Sequence, residues 1–395
     1  MSIFLLQIVY RPVLNIYFLY MSIYKIALLV PSLNGGGAER VIINLANFFS
    51  DKGYKVWLLT TYQGVYFNSV DSKVTIELLP EFKLRLLGIN ILKPIPQIFY
   101  LIKFLIKNKP DFLLSTLHSA NILAPLANVL APIKTKVIVR EANTLNEFCV
   151  NNLSFKKKLY LFAMKISYTL ANSIIANSPD TAKDVENILN IPKEKIKVIC
   201  NPVYSPESQN LSLNKTNHQW EKKDYIIAVG RLHPQKDFTT LLKAFTLLQS
   251  KHSINLIILG TGNEEKKLKD LATKLGIFHK VDFLGFQDNI YPYLRNAKVF
   301  VLSSKWEGFG NVLVEALSVG TPVVATDCSG GPRIILDYGK YGILVKTEEP
   351  KAMSNAIEEI LSGEKAYSHK ELINRAQEFS IEKIGKEYLD HFLSI

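Results

Sequence analysis

Residues 299–326 read VFVLSSKWEGFGNVLVEALSVGTPVVAT. The run from Val299 to Ser304 has the length and apolar character of a buried strand. The loop Lys305-Trp306-Glu307-Gly308-Phe309-Gly310 follows. Asn311 is the expected N-cap of a helix that runs through VLVEALSV and stops at Gly320. Thr321-Pro322 then leads into a second apolar strand ending at Thr326. A strand, a glycine loop, a helix and another strand form the repeating unit of a parallel sheet. The glycines before the helix leave backbone N–H groups open to an anion. Glu307 lies in the loop, and Glu315 lies one turn inside the helix.

The same alternation extends in both directions. Toward the C-terminus, another strand reads at Gly342–Val345 and a helix at Pro350–Leu361. Toward the N-terminus, strands read at Val281–Leu284, Asn255–Leu259 and Tyr225–Val229, with helices at Glu264–Leu275 and Thr239–Gln249. The stretch 202–223 is polar, irregular and rich in Ser, Asn and Pro, so it reads as a linker. Before it lies a second series of strands: Ile26–Pro31, Tyr54–Thr60, Val74–Leu79, Phe112–Ser115, Lys136–Val139, Ser173–Ala176 and Ile196–Cys200. The expected organisation is two Rossmann-like, doubly wound α/β domains, 22–201 and 224–395, facing across a cleft. The last helix is a candidate to cross back to the first domain. Ligands in such sheets sit beyond the carboxyl ends of the strands.

Three further segments stand at strand ends. Gly230-Arg231-Leu-His-Pro-Gln-Lys236-Asp237 brings two cations to the start of a helix, where the dipole disfavours them unless an anion is present. Asn34-Gly35-Gly36-Gly37-Ala38-Glu39-Arg40 is neither a Walker-A loop nor a dinucleotide fingerprint. Turn chemistry by itself explains the glycines of Gly260-Thr261-Gly262 and Leu284-Gly285-Phe286-Gln287.

Glu307-Gly-Phe-Gly-Asn-Val-Leu-Val-Glu315 resembles the E-x7-E signature of retaining glycosyltransferases of the GT-B architecture, the group 1 or family 4 type. The resemblance runs from about Lys25 to the C-terminus and is strongest from Tyr225 to Thr347. It implies that Glu307 lies against the donor sugar and that Glu315 binds the ribose of the nucleotide. It also implies that the backbone of Gly308, Phe309, Gly310, Asn311, Val312 and Leu313 faces the diphosphate and sugar. Arg231 and Lys236 would neutralise the diphosphate, and Gly36 and Gly37 would meet the donor across the cleft. Gly262 and Phe286 would shape the base pocket. His118 matches a position where many relatives hold a His near the sugar, although a lone His is more often structural. Arg140-Glu141-Ala142-Asn143 departs from the family pattern by placing Ala where a His is common. Gly331-Pro332-Arg333-Ile334 departs by placing Ile where Glu is common.

There is no Asp-x-Asp and no cluster with metal-ligand spacing, so neither a metal nor a cofactor is expected. The three cysteines, Cys149, Cys200 and Cys328, read as buried thiols in a reducing compartment. Charge is unevenly distributed. Residues 22–201 hold 22 Lys/Arg against 12 Asp/Glu, and residues 202–395 hold 24 against 23. Lys83, Arg85, Lys93, Lys103, Lys107 and Lys109 form one basic stretch among apolar residues. Lys156, Lys157, Lys158 and Lys165 form another, with Phe155, Tyr160 and Phe162. Two readings stay open for these stretches: a solvated basic face, or docking to an anionic membrane. Nucleic acid is not expected, because no binding motif is present. Residues 1–20 suit neither a membrane span nor a signal peptide. Either Met21 is the functional start, or the extension lies on a membrane.

The expected activity is transfer of a hexosyl or N-acetylhexosaminyl unit from a nucleotide sugar, UDP-linked rather than GDP-linked, to a growing envelope glycan that could be lipid-linked. The expected location is the cytoplasm, including the inner face of its membrane. The rivals are a sugar-nucleotide epimerase or phosphorylase of the same architecture, a silent scaffold subunit of a glycan-assembly complex, and a nicotinamide oxidoreductase. The last is disfavoured by the missing fingerprint.

Overall fold

The computed structural model describes residues 24–80, 94–145, 155–213, 223–249 and 251–395. The extension 1–20, Lys83, Arg85, Lys93, Cys149 and residues 214–222 of the polar linker lie outside them.

The chain forms two α/β units. In the first, strands β1 (Lys25–Leu29), β2 (Lys55–Thr60), β3 (Thr75–Leu78), β4 (Phe112–Thr116), β5 (Lys136–Glu141), β6 (Ser173–Ala176) and β7 (Ile196–Val198) alternate with helices. The helices are α1 (Gly37–Asp51), α2 (Pro94–Asn108), α3 (His118–Leu130), α4 (Phe155–Leu170) and α5 (Pro179–Leu189). After α6 (Glu207–Leu211) the second unit holds β8 (Tyr225–Val229), β9 (Asn255–Leu259), β10 (Val281–Gly285), β11 (Val299–Leu302), β12 (Val323–Thr326) and β13 (Ile343–Val345). Its helices are α7 (Phe238–Leu248), α8 (Glu265–Lys274), α9 (Tyr291–Asn296), α10 (Asn311–Ser318), α11 (Pro332–Ile335), α12 (Pro350–Leu361), α13 (His369–Gln377) and α14 (Ile381–Ser394).

Among the described residues every strand pairing is parallel, as the near-continuous apolar runs predict. The seven-stranded sheet has the order β3-β2-β1-β4-β5-β6-β7, and the six-stranded sheet has the order β10-β9-β8-β11-β12-β13. The strand order therefore reverses between β1 and β4 in the first sheet and between β8 and β11 in the second. Loops diverge at such a point and leave a crevice. Gly35–Gly37 and His118 follow β1 and β4, while Arg231–Lys236 and Glu307–Gly310 follow β8 and β11. Topology thus brings together motifs separated by about seventy to eighty residues of chain.

Two strands of chain cross between the units side by side. Val203 and Tyr204 donate to the Phe379 carbonyl, and Ile381 donates back to Tyr204. Helix α14 then lies on the first unit, where Ile384, Tyr388 and Phe392 are buried in its core. Each such side chain contributes roughly 1.5–3 kcal/mol by leaving water, so the C-terminus fastens the two units together. Among the described residues no helix is long and apolar enough to cross a membrane.

Candidate active site

The second unit's wall is built from two loops fastened to each other. Lys305 N–H donates to the Gln235 carbonyl at 2.8 Å, and the Gln235 amide donates to the Trp306 carbonyl at 2.9 Å. This brings Lys236 to Glu307, with Nζ to Oε1 at 2.5 Å. Ser304 Oγ donates to the same oxygen at 2.5 Å. The Glu307 side chain is only 7% exposed and that of Lys236 only 16%. A cation and a hydroxyl here replace the water that a buried carboxylate loses. Lys236 is therefore held by Glu307 and is not a free point charge. Arg231 is exposed, and no described residue pairs with it.

Asn311 does not cap helix α10. The N-cap is Gly310, at φ 93°, and no side chain accepts from the first-turn amides. The left-handed turn brings the Gly310 carbonyl to Leu313 N–H at 2.9 Å, and among the described residues the N–H groups of Asn311 and Val312 have no acceptor, the condition for anion binding. Asn311 is instead the first helical residue, and its side chain reaches the other unit. Phe309 and Leu313 turn their side chains into the core, with Phe309 against Phe379, and Val312 packs partly on it. This segment can therefore offer a ligand its backbone and no more. Cys328 is buried nearby. Burial, together with the charge of Glu307, pushes its thiol up to about 12, which keeps it protonated and inert.

Glu315 is half-buried on α10. Burial pushes its carboxyl up, and the Arg40 charge pulls it partly back. Arg40 comes from α1 of the opposite unit, where it stacks 4.8 Å from the Tyr66 ring centroid. Burial works against the Arg40 charge, but Glu315 and Tyr66 outweigh it and raise the pKa. Gly36 precedes α1 without a side-chain cap, and the Glu39 carboxylate folds back over it. Gly262 packs against the Leu232 backbone, and the exposed Phe286 ring lies beside Gly35.

The first unit's wall holds a different arrangement. His118 begins α3, and its Nε2 lies 3.2 Å from Glu141 Oε1. A carboxylate only accepts, so that ring nitrogen carries the proton. Glu141 is fully buried at the end of β5. It also accepts from Tyr168 at 2.6 Å and from the backbone N–H groups of Ala142 and Asn143 at 2.9 and 3.1 Å. Burial by itself would raise its pKa. The charge of His118 and these hydrogen bonds win and hold it below the usual carboxylate value.

The walls meet closely. A Cβ on Gly308 would lie 1.8 Å from the Ala142 carbonyl, so only glycine fits there. Asn311 Nδ2 donates to the Gly37 carbonyl at 3.1 Å, and Gly330 N–H donates to Asp180 at 2.9 Å. Of the residues singled out from the sequence, Gly35, Gly37, Phe286, Gly308 and Asn311 meet the opposite unit here. Sequence reading overlooked Glu141 as the partner of His118, and it did not foresee that Arg40 faces Glu315. The signal for Glu141 was a charged pair, Arg140-Glu141, directly continuing an apolar strand. Among the described residues no three His, Cys, Asp or Glu gather as metal ligands do.

Residues 212–379 match the family described as Glycosyl transferases group 1, and residues 35–204 match Glycosyltransferase Family 4. An uncharacterized glycosyltransferase of Methanocaldococcus jannaschii is 32% identical over 342 residues, which is 75% of this chain and 82% of that one. The N-acetylgalactosamine-N,N'-diacetylbacillosaminyl-diphospho-undecaprenol 4-alpha-N-acetylgalactosaminyltransferase of Campylobacter jejuni is 28% identical, over 93% of this chain and 99% of its own length. In fold, the chain matches the crystal structure of Anabaena Alr3699/HepE in complex with UDP-glucose. The TM-score is 0.79 with 21% identity, covering 94% of this chain and 100% of that one.

Proposed function

Because the chain belongs to the group 1 glycosyltransferases of GT-B architecture, we propose that it transfers a sugar from a UDP-linked donor to a lipid-linked envelope glycan, with retention of anomeric configuration. The observation that carries this reading is the Lys236–Glu307–Ser304 cluster beside the uncapped start of α10, with the exposed Arg231 on the same segment as Lys236. The donor diphosphate would lie on the open amides, with its charge met by Arg231 and shared by Lys236. Stabilising that departing charge is the largest contribution this site can make to the rate. Glu307 would lie under the sugar, where positive charge develops at the anomeric carbon. No covalent nucleophile is assigned. The raised pKa of Glu315 suits a group that accepts ribose hydroxyls in a dry pocket.

The acceptor would enter along the first unit. A cavity of about 190 Å³ lies there, lined by Pro31, Thr61, Tyr62, Gln97, Ser119 and Leu123. The Campylobacter relative's name specifies an undecaprenol-diphosphate-linked glycan, and a lipid carrier requires approach to a membrane. Helix α4 supplies a surface for that approach. Phe155, Leu159, Phe162, Ile166 and Leu170 recur every three or four residues and are all exposed, so they form one apolar stripe. Lys156, Lys157, Lys158 and Lys165 flank it. Apolar side chains beside lysines match an anionic headgroup layer. The enzyme would then work at the inner face of the cytoplasmic membrane.

The decisive test is a panel of UDP- and GDP-sugars with EDTA present, read by nucleotide release and by the product's anomeric configuration. UDP release with retention is expected to survive chelation. A 2-epimer product, silence across the panel, inversion, or loss of activity restored by magnesium would each overturn the corresponding part of the reading.

A further inference from the structure

Arg140 is fully buried, and no described carboxylate lies within ion-pair distance. Each of its three nitrogens donates to a neutral oxygen, and the three oxygens come from three parts of the chain. Nη1 donates to Thr116 Oγ1 at 2.9 Å, Nε to Tyr388 Oη of α14 at 3.0 Å, and Nη2 to Asn201 Oδ1 at 2.6 Å. A buried cation without a counter-ion is costly, and hydrogen bonds from its nitrogens offset that cost.

Asn201 is 4% exposed and lies on the segment that leaves β7 for the second unit. A guanidinium has donors and no acceptor, so it fixes the orientation of this amide: oxygen toward Arg140, nitrogen away. Asn201 Nδ2 then donates to Asn311 Oδ1 at 2.7 Å. That in turn fixes the second amide, whose Nδ2 donates to the Gly37 carbonyl. A guanidinium stands at one end and a backbone carbonyl at the other, and neither can reverse its role. The chain Arg140–Asn201–Asn311–Gly37 therefore has one polarity. It runs from the first unit's core, through the crossing segment, to the start of α10, and back to the turn after β1.

We propose that Arg140, Asn201 and Asn311 form a closure latch, in which Asn201 is a positioning residue that holds the open amides of α10 against the Gly35–Gly37 turn. Its consequence for nucleotide binding rests on the donor site proposed above, but the latch itself does not. Asn201→Asp tests it with a change of one atom. The carboxylate still satisfies Arg140, but it turns an acceptor toward Asn311 Oδ1. If the Asn311 amide flips to donate, its oxygen faces the Gly37 carbonyl.

Two readouts separate the claims. Small-angle scattering without nucleotide should show Asn201→Asp to be more open than wild type, at an unchanged melting temperature. UDP titration should show about three- to tenfold weaker binding, the size of one net hydrogen bond. Asn311→Ala should open the protein similarly, and the double variant should be no more open than the more open single variant, because both cut one chain. Tyr388→Phe, which removes a partner of Arg140 outside the latch, should lower the melting temperature and leave closure unchanged. Wild-type compactness in Asn201→Asp, or opening that adds in the double variant, would overturn the latch. If wild type does not bind UDP, the donor reading fails, and the scattering still decides the latch.

Discussion

The two walls of the cleft hold their charges in opposite ways. On the second unit's wall Arg231, Lys236 and Glu307 belong to the segments that follow two strands, and one of them, Arg231, is left exposed. Even its buried carboxylate, Glu307, is paired with a lysine from the neighbouring loop. On the first unit's wall two charges, Arg140 and Glu141, are strand residues sunk into the core. Arg140 and Glu141 are adjacent and both fully buried, yet each answers to a different network. Arg140 reaches the crossing segment, and Glu141 reaches His118 and Tyr168. The first kind of wall suits binding and release of a charged ligand. The second suits holding geometry, because an ionised group inside a protein tolerates little displacement of its partners.

The sharpest way to break this contrast is to remove the exposed cation. Arg231→Ala should lower turnover by on the order of 100-fold or more, by analogy with loss of a preorganised charge donor, and leave the melting temperature unchanged. Lys236→Met should lose activity comparably but also destabilise the fold by about 3 kcal/mol, because it leaves Glu307 buried without its cation. Steady-state kinetics beside urea denaturation decide this. Kinetics within threefold of wild type for Arg231→Ala would remove it from the site.

The opposite wall should respond more weakly. Glu141→Gln keeps the shape but not the charge, and about a tenfold fall in turnover is expected if Glu141 acts through His118. Its pH dependence carries a sign. A carboxyl held low in the folded protein stabilises it above the ordinary carboxylate range, and that contribution is lost as pH falls through the depressed value. Urea denaturation of wild type should therefore show stability falling on acidification, with part of that fall missing in Glu141→Gln. Parallel pH curves would show that the His118–Glu141 pair contributes nothing to the fold.

The smallest effect on chemistry should come from outside both walls. Lys156/Lys157/Lys158→Ser should leave donor hydrolysis unchanged. It should also weaken binding to anionic liposomes by roughly 100-fold, at about 1 kcal/mol per lysine near the surface. The difference should fade as salt rises. Co-flotation of a chain starting at Met21 reads this directly, and equal flotation of variant and wild type would reduce α4 to a solvated face.

Much of the second unit was legible before any coordinates. Its strands β8 and β9 read with the bounds they adopt, and Glu307, Gly308, Gly310 and Glu315 stand within one short segment. Local sequence sufficed there because the conformation of that segment is set by its own backbone turn and helix start. Asn311 was the exception. Its type predicts a cap, but Gly310 takes the turn and frees the amide to bridge the units. The first unit was harder to read. Hydropathy ends β5 at Val139, whereas the strand runs on to Glu141, because partners distant in the chain make two buried charges tolerable.

By itself the sequence determined which segments become strands and helices, their parallel arrangement, and the glycine turns at the strand ends. These follow from apolar periodicity and local backbone preference, which act over a few residues. Only the tertiary structure decided where the charges go. Lys236 pairs with a carboxylate seventy-one residues away, Arg140 with an amide sixty-one away and a tyrosine 248 away, and Asn311 with a carbonyl 274 away. A charge or amide has no preferred partner until folding removes its water, and the partner it then finds depends on topology rather than on neighbours in sequence.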